Sequence, residues 1–279
     1  MQETIAVIFD FDDTLAPDST SSFLDCRGVD VPHFWQDRVS PRIEDGWDPV
    51  PAYLYEMIAL SHNGPPIRRD DLIRWGKRIK PFSGATRIFE RVRRHAESIN
   101  ERVAVEFYLI SSGIGDILRH TRLARHFNDI WCCDFHYDDE GGIVYPKNIV
   151  SFTDKTRFLF QIAKGITGPE CRSQPFAVNR KVGSQQLRVP FDQMIVVGDG
   201  LTDIPCFSLI RRSGGYAIGV FDRANKAKWG RAWGFIEDGR VSNLVPADFG
   251  KNSALSLSLM MAVENLARKL RLRAQTYQG

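Results

Sequence analysis

Near its start the chain reads Ile5-Ala6-Val7-Ile8-Phe9-Asp10-Phe11-Asp12-Asp13-Thr14-Leu15. An uninterrupted apolar run of this length, rich in β-branched and aromatic residues, predicts a strand buried on both faces. Two carboxylates, Asp10 and Asp12, follow it. Side chains alternate in direction along an extended chain, so both acids point the same way while Phe11 points into the core. The strand therefore brings a pair of acids to its carboxyl end, where open α/β sheets bind ligands.

Paired carboxylates in this arrangement support a limited set of reactions. One can attack phosphorus as a nucleophile while the other, protonated, delivers the proton that a leaving alkoxide needs. On this hypothesis Asp10 is the nucleophile and Asp12 is the acid and then the base. A nearby cation must offset the repulsion between two anions, and Mg²⁺ suits oxygen ligands. The alternative is that the acids merely end a strand and begin a turn.

A second predicted strand, 103–110, runs into Ser111-Ser112-Gly113, and an amphipathic helix is predicted from 114 to 127. A hydroxyl and backbone N–H groups at a helix N-terminus favour a phosphate. We therefore expect Ser111, with Ser112 and Gly113, to bind phosphate. The alternative is an ordinary strand-to-helix turn with a capping serine.

Lys155 lies in the first turn of a helix that Thr153 or Asp154 is predicted to cap and that is predicted to run to Gly165. A cation is disfavoured there because the helix dipole is positive at that end. A phosphate or the Asp10 carboxylate nearby would offset this cost, whereas an exposed lysine is the ordinary alternative.

A further predicted buried strand, 193–197, ends in Gly198-Asp199-Gly200-Leu201-Thr202-Asp203. Its glycines allow close backbone approach, and Thr202 or Asp203 is expected to open the next helix. A bare Asp-Gly turn is the alternative for this segment alone. Two acid-tipped strands with a serine-tipped strand between them in sequence rarely arise by chance.

These segments, in this order, resemble the four motifs of the haloacid dehalogenase-like (HAD) superfamily, in its phosphoserine phosphatase-like branch. The motifs correspond to Asp10-Phe11-Asp12-Asp13-Thr14, Tyr108-Leu109-Ile110-Ser111, Lys155 and Gly198-Asp199-Gly200-Leu201-Thr202-Asp203. The resemblance implies an α/β fold with a Rossmann-like, mainly parallel sheet, helices on both faces and an inserted helical cap domain. It also implies that Asp10, Asp199 and the backbone carbonyl of Asp12 bind Mg²⁺. Thr14 and Asp203 are then expected to support these groups, with Asp203 orienting a metal-bound water or the lysine.

Within that superfamily the residue two after the nucleophile indicates the reaction. Dehalogenases lack an acid there and transport ATPases carry threonine, so Asp12 implies a phosphatase acting on a small phosphomonoester. A phosphotransferase or a 5′-nucleotidase on the same scaffold remains an alternative, since residues 111–116 also resemble the second motif of cytosolic pyrimidine 5′-nucleotidases. A silent phospholigand-binding module is a third possibility, which the intact acids disfavour.

The motifs divide the chain into a catalytic core, 1–15 and 100–250, a helical cap, 16–99, and a C-terminal helix, 251–279. Residues 16–22 are polar and turn-rich, a polar excursion without clear periodicity spans 168–189, and residues 233–236 are predicted to form a short strand. Aromatic and basic residues of the cap can stack on a base or ring of the substrate or bind its anionic group. The better supported interpretation is that most of them form the core of the cap or the solvated faces of its helices. They are Phe34, Trp35, Trp47, Tyr53, Tyr55, Trp75, Arg68, Arg69, Arg74, Lys77 and Arg78.

Composition sets the remaining expectations. The 279 residues are 43% hydrophobic, which is enough for a substantial core, and a net charge of +3 is too small to indicate a nucleic acid polymer as partner. No apolar run approaches the roughly 20 residues of a membrane span, and no export signal is expected at the N-terminus. Five cysteines without Cys-x-x-Cys spacing favour reduced thiols in a cytoplasm.

Overall fold

The computed structural model describes residues 3–223 and 229–276. Its seven strands form one sheet in the order β4-β3-β2-β1-β5-β6-β7. Every adjacent pair is parallel except β3 and β4, which form an antiparallel hairpin. The strands are β1 Glu3–Phe9, β2 Val103–Ile114, β3 Asp129–Tyr137, β4 Ile143–Asn148, β5 Met194–Gly198, β6 Tyr216–Phe221 and β7 Asn243–Pro246.

Helices connect most of the strands. In the long segment between β1 and β2 they are α1 Ser19–Cys26, α2 Val31–His33, a π-helical turn Phe34–Val39, α3 Ser40–Glu44, α4 Pro49–Asn63, α5 Arg69–Arg78 and α6 Ala85–Ile99. After β2 come α7 Gly115–Leu118, α8 Phe152–Lys164, α9 Ile204–Arg212, α10 Trp229–Glu237 and α11 Ala254–Thr276. The predicted α/β fold with a mainly parallel sheet is confirmed.

Aromatic side chains show that helices cover both faces of the sheet. On one face, the Phe89 ring of α6 lies 6.0 Å from that of Phe9 and 4.9 Å from that of Phe107. On the other face, the Trp131 ring stacks 5.1 Å from Phe158 of α8 and 5.8 Å from Tyr108. Phe107 and Tyr108 are consecutive in β2, so they point to opposite faces. This double cover explains why the strands read as continuous apolar runs.

The strand order places the motifs together. β1 lies between β2 and β5. Strands β2, β3 and β4 follow one another on one side of β1, and strands β5, β6 and β7 follow one another on the other side. Such a reversal leaves a crevice at the carboxyl ends of the strands, where ligands bind. The polar segments after β1 and β5 and at the end of β2 therefore share one rim.

The predicted helix from 114 to 127 is wrong. β2 continues through Ile114, α7 makes a single turn, and a short 3₁₀ turn at Ala124–His126 follows. The Leu118 carbonyl accepts hydrogen bonds from the Thr121 backbone N–H, at 3.3 Å, and from its hydroxyl, at 2.9 Å. These bonds tighten the chain where an α-helix would have continued.

Two further expectations are corrected. Residues 233–236 lie in helix α10 rather than a strand: Phe235 packs on Phe207 at 5.9 Å while Trp233 is 59% exposed, so the segment is amphipathic at helical spacing. The turn-rich segment 16–22 begins helix α1, because the Asp18 carboxylate accepts the Ser21 N–H at 2.8 Å as an N-cap.

Helix α8 starts two or three residues earlier than predicted. The helix begins at Phe152, and Ser151 rather than Thr153 or Asp154 is its N-cap. The Asp154 carboxylate instead accepts the Ser151 N–H at 3.4 Å, which satisfies a backbone donor at the start of the helix. Lys155 still lies in the first turn, as expected.

The predicted boundary of the cap, 16–99, includes α6. This helix packs against β2 through Phe89 and against α11 through Arg91, which donates to the Ser256 hydroxyl at 3.4 Å. These contacts favour ending the helical insertion before α6; the division into core and cap stays a prediction. The insertion itself is tied to the β3–β4 hairpin by backbone bonds from Arg69 N to Gly141 O, 2.9 Å, and from Ile143 N to Ile67 O, 3.0 Å.

Two global observations complete the fold. All five cysteines are free thiols, and three of them, Cys132, Cys133 and Cys206, are buried. Within the described ranges, 3–223 and 229–276, every helix is too short or too polar to cross a membrane.

Candidate active site

The shared rim brings four of the predicted residues together around one buried ammonium group. Lys155 Nζ lies 2.8 Å from Asp203 Oδ1 and 3.3 Å from Asp10 Oδ2, and its side chain is 1% exposed. Asp10 is fixed on the rim by a backbone bond from its N–H to the Val197 carbonyl of β5, at 2.9 Å. Asp199 offers a carboxylate oxygen to the same cluster. Segments that are distant in sequence thus meet at one point.

Electrostatics keep this cluster charged. Burial alone would lower the pKa of Lys155, but the carboxylates of Asp10 and Asp203 raise it well above its ordinary value. Burial raises the pKa of Asp203 to about 6, against the opposing charge of Lys155. At neutral pH the lysine is therefore a fixed cation and Asp203 is an anion that holds it in place.

Asp12 and Asp13 form the turn after β1. The Ser19 N–H at the start of α1 donates to Asp12 Oδ1 at 2.7 Å. Removal from water, followed by the charge of Asp18, raises the pKa of Asp12 well above its ordinary value, so its protonated form persists to higher pH. Asp13 adopts φ 56°, a left-handed conformation that costs energy for a residue with a Cβ.

The Ser111–Gly113 segment lies at the irregular end of β2, where the register against β3 shifts between Ile110 and Ile114. Ser111 is 1% exposed, and its Oγ accepts the Gly113 N–H at 3.1 Å. The one-turn α7 supplies no long helix N-terminus at this point. A serine at the strand end, rather than a strand-to-helix turn, therefore presents the hydroxyl.

A hard divalent cation fits the carboxylate cluster. Oxygen atoms of Asp10, Asp199 and Asp203 lie within 4.8 Å of one another, and Asp10 Oδ1 is buried without a hydrogen-bond partner. Oxygen-only donors of this kind suit Mg²⁺. Asp203 already accepts bonds from Lys155 and from Gly200 N, at 3.1 Å, so it is better placed to orient the lysine than to bind a metal.

Two predicted residues are placed differently from the rest. Thr14 is fully buried behind the rim, and its hydroxyl has no hydrogen-bond partner. Ser112 lines the cavity above the carboxylates, but its hydroxyl is buried and unpartnered while its backbone carbonyl accepts a bond from the Tyr53 hydroxyl. Neither hydroxyl therefore forms a hydrogen bond that could orient a residue of the site.

The cavity above the rim measures about 170 Å³, and its walls include residues that the motifs did not identify. Tyr53 of α4 donates its hydroxyl to the Ser112 carbonyl at 2.6 Å, and its ring lies 5.9 Å from that of Trp35. Asp18 and Thr20 of the α1 region also line it. Tyr53 and Trp35 are both among the aromatic residues of the predicted cap, but helical periodicity does not distinguish them from the others.

Sequence comparison finds a distant relative of this chain. No family model matches the chain. An uncharacterized protein of Borreliella burgdorferi is 25% identical over 233 residues, which cover 75% of this chain and 79% of that protein.

Solved structures are similar over most of the chain. A HAD family hydrolase from Salmonella enterica serovar Typhi has a TM-score of 0.60 at 12% identity, covering 92% of this chain and 70% of that one. A probable phosphoserine phosphatase from Vibrio cholerae has a TM-score of 0.58 at 9% identity, covering 96% and 67%. A phosphoserine phosphatase in the form of a phospho-aspartyl intermediate analogue has a TM-score of 0.53 at 15% identity, covering 87% and 93%. The predicted HAD-like, phosphoserine phosphatase-like fold is thereby confirmed.

Proposed function

We propose that this chain, which has the fold of phosphoserine phosphatases, is a Mg²⁺-dependent phosphatase that hydrolyses a small phosphomonoester through an aspartyl phosphate. The observation that carries the proposal is the buried Lys155 ammonium, held between Asp10 and Asp203 on the rim where Asp12 and Ser111 also lie. A fixed positive charge beside a carboxylate nucleophile favours the approach of a phosphoryl group.

The chain's own residues account for both halves of the reaction. An Asp10 oxygen attacks phosphorus, the bond from phosphorus to the ester oxygen breaks, and protonated Asp12 donates its proton to the departing oxygen. Ionised Asp12 then removes a proton from water as that water attacks the phosphorus of the aspartyl phosphate, and the bond from phosphorus to the Asp10 oxygen breaks. Inorganic phosphate leaves, and Asp10 and Asp12 return to their starting states.

In this proposal one set of groups binds the phosphoryl oxygens and another set binds the cation. Lys155 and Ser111, with backbone N–H groups of 112–113, would face the phosphoryl oxygens, while Asp10, Asp199 and the Asp12 carbonyl would hold Mg²⁺. When bound, the cation neutralises charge on the phosphoryl oxygens and so lets an anionic nucleophile approach. The unpartnered Asp10 Oδ1 is the atom that such a cation would satisfy.

The cavity favours a small ester over a nucleotide. Its volume of about 170 Å³ lies below the range of about 300–1,000 Å³ that drug-sized ligands occupy.

The five free thiols fit a reducing compartment, so we place the activity in the cytoplasm.

The proposal is tested by a panel of phosphorylated metabolites and an aryl phosphate, assayed for inorganic phosphate with Mg²⁺ and with EDTA. We expect release with Mg²⁺ and at least about a hundredfold less after chelation, since the cation contributes several kcal/mol to charge stabilisation. An added alcohol that captured most of the phosphoryl group would identify a phosphotransferase instead. No release from any substrate with Mg²⁺ would contradict the proposal.

Close packing at Gly113 gives a sharper test of the geometry. A Cβ there would lie 2.8 Å from Asp12 Oδ2 and 3.3 Å from Ser111 Oγ. Gly113→Ala should therefore displace the acid and lower kcat by about a hundredfold. Gly234→Ala is the matched control, because a Cβ at that helical position meets open space. Equal kcat values for the two variants would show that the Asp12 position is not critical.

A further inference from the structure

A second cavity of about 790 Å³ lies beside the outer strands β3 and β4. Its walls are the β3–β4 hairpin, the α8 face that carries Arg157, Phe158 and Gln161, and the start of the excursion at 168–175. None of its lining residues lines the cavity above the carboxylates. The volume falls in the range of small-molecule sites.

Cations outnumber carboxylates in the walls of this cavity. Five lysine or arginine side chains line it with three aspartates, and each aspartate is already paired. The Asp116 carboxylate accepts from Arg69 at 3.1 Å and from the Tyr137 hydroxyl at 2.5 Å. The two remaining aspartates pair with arginines in the same way, Asp129 with Arg172 and Asp134 with Arg119.

Two cations therefore remain without a close counter-charge. Arg157 reaches only Asp154, at 3.8 Å, and Lys147 forms no ion pair with any residue in the described part of the chain. The Nε atoms of Arg157 and Arg119 are moreover buried without a hydrogen-bond partner. Neither Nε atom is open to solvent, so an anion in the cavity would instead meet the accessible part of the Arg157 side chain, which is 37% exposed, and the exposed Lys147 ammonium.

We infer that this cavity binds a small phosphorylated anion at a site separate from the carboxylate rim. The planar guanidinium matches phosphate oxygens with two donors, and Lys147 adds a point charge. The site also gives a role to the excursion: Arg172 is held by Asp129, at 3.3 Å, as is the Gly168 N–H, at 2.7 Å, and these bonds fix the wall that closes the cavity. The inference stands independently of the proposed phosphatase activity.

Calorimetric titration of the full chain with inorganic pyrophosphate, in EDTA, tests the inference. We expect saturable binding that weakens at least about tenfold in the double variant Arg157→Gln with Lys147→Gln, because two charge-assisted contacts are lost. Arg157→Lys, which keeps the charge, should retain part of the affinity. Arg94→Gln, on an arginine that is 77% exposed in α6, is the matched control and should bind as the wild type does.

Hydrogen exchange locates the bound anion. Pyrophosphate should protect the amides of 166–175 and leave those of 111–113 unchanged, and Ser111→Ala should bind with wild-type affinity. Protection confined to 111–113, or binding lost in Ser111→Ala and retained in the double variant, would place the anion in the catalytic cavity and overturn the inference. Absence of binding at millimolar pyrophosphate would also overturn it.

Discussion

Asp10→Asn is expected to abolish phosphate release, lowering kcat by at least about a thousandfold, since an amide cannot attack phosphorus and removal of a nucleophile typically costs more than that. The substitution keeps the size of the side chain, which is 8% exposed on the rim. The second ion pair of Lys155, with Asp203 at 2.8 Å, remains in place to hold the lysine. The variant should therefore fold and still bind substrate.

Asp25→Asn is the matched control, because Asp25 is exposed on α1 away from the cavity. It loses the same charge and should keep full kcat. Phosphate release and thermal unfolding measured on both variants separate a catalytic loss from a folding defect. If Asp10→Asn turned over substrate as fast as the wild type, Asp10 would not be the nucleophile.

Lys155→Met is expected to have the second largest effect, on stability as well as on activity. The methionine fills most of the space, but Asp10 and Asp203 then share a buried site without a counter-charge. Removing one partner of a buried ion pair typically costs about 3–5 kcal/mol of the free energy of unfolding. Turnover should fall by at least about a hundredfold, because the fixed cation beside the nucleophile is gone.

The stability loss in Lys155→Met should depend on pH. The pKa of Asp203 is raised to about 6 even with the lysine present, and losing the lysine raises it further. A carboxyl whose folded pKa exceeds its unfolded value stabilises the protein below the unfolded pKa and loses that stabilisation as pH rises through the folded pKa. Urea unfolding should therefore show a smaller deficit at pH 5 than at pH 8.

The double variant Lys155→Met with Asp203→Asn provides the control. Replacing both partners should recover part of the lost stability and remove most of the pH dependence, since the unpaired charge is no longer buried. Lys77→Met, at an exposed position of α5, should unfold like the wild type. A Lys155→Met variant as stable as Lys77→Met would mean that the ammonium is not the centre of the cluster.

Much of the fold follows from the sequence because a strand buried on both faces of a parallel sheet is a continuous apolar run. β1 and β5 are short apolar runs that end in an acid or in Gly-Asp, and both occur where they were predicted. Their adjacency on the rim follows from the strand order rather than from any local pattern. The motif resemblance implied that Lys155 and Asp203 lie near Asp10, but it gave no strand order.

The errors lie where tertiary contacts override local pattern. The residues after β2 have helical periodicity, but the chain returns to the sheet when the Asn128 N–H donates to the Phe107 carbonyl at 2.7 Å and the Asn128 side chain accepts the Phe107 N–H at 3.0 Å. Residues 233–236 are apolar enough for a strand, yet Trp233 donates to Glu237 at 3.1 Å along a helix. Such contacts cannot be read from a window of sequence.

The residues that line the walls of the candidate site could not be predicted from the sequence either. Which face of α4 meets the rim depends on how the insertion packs, so the Tyr53 bond to Ser112 had no local signal. The Ser19 N–H that holds Asp12 depends on α1, which the polar composition of 16–22 concealed. The motifs therefore identify the charged groups of the site, whereas the residues around them depend on how the helices pack.

The central claim, that phosphoryl groups pass through Asp10, is tested most directly by trapping the phosphoenzyme. Wild-type enzyme with Mg²⁺ and a turned-over phosphomonoester is quenched in acid, digested and analysed by mass spectrometry. The account predicts the added mass of one phosphoryl group on the peptide that contains Asp10, absent from Asp10→Asn. Steady phosphate release with no phosphorylated Asp10 peptide, or with the phosphoryl group on another residue, would contradict it.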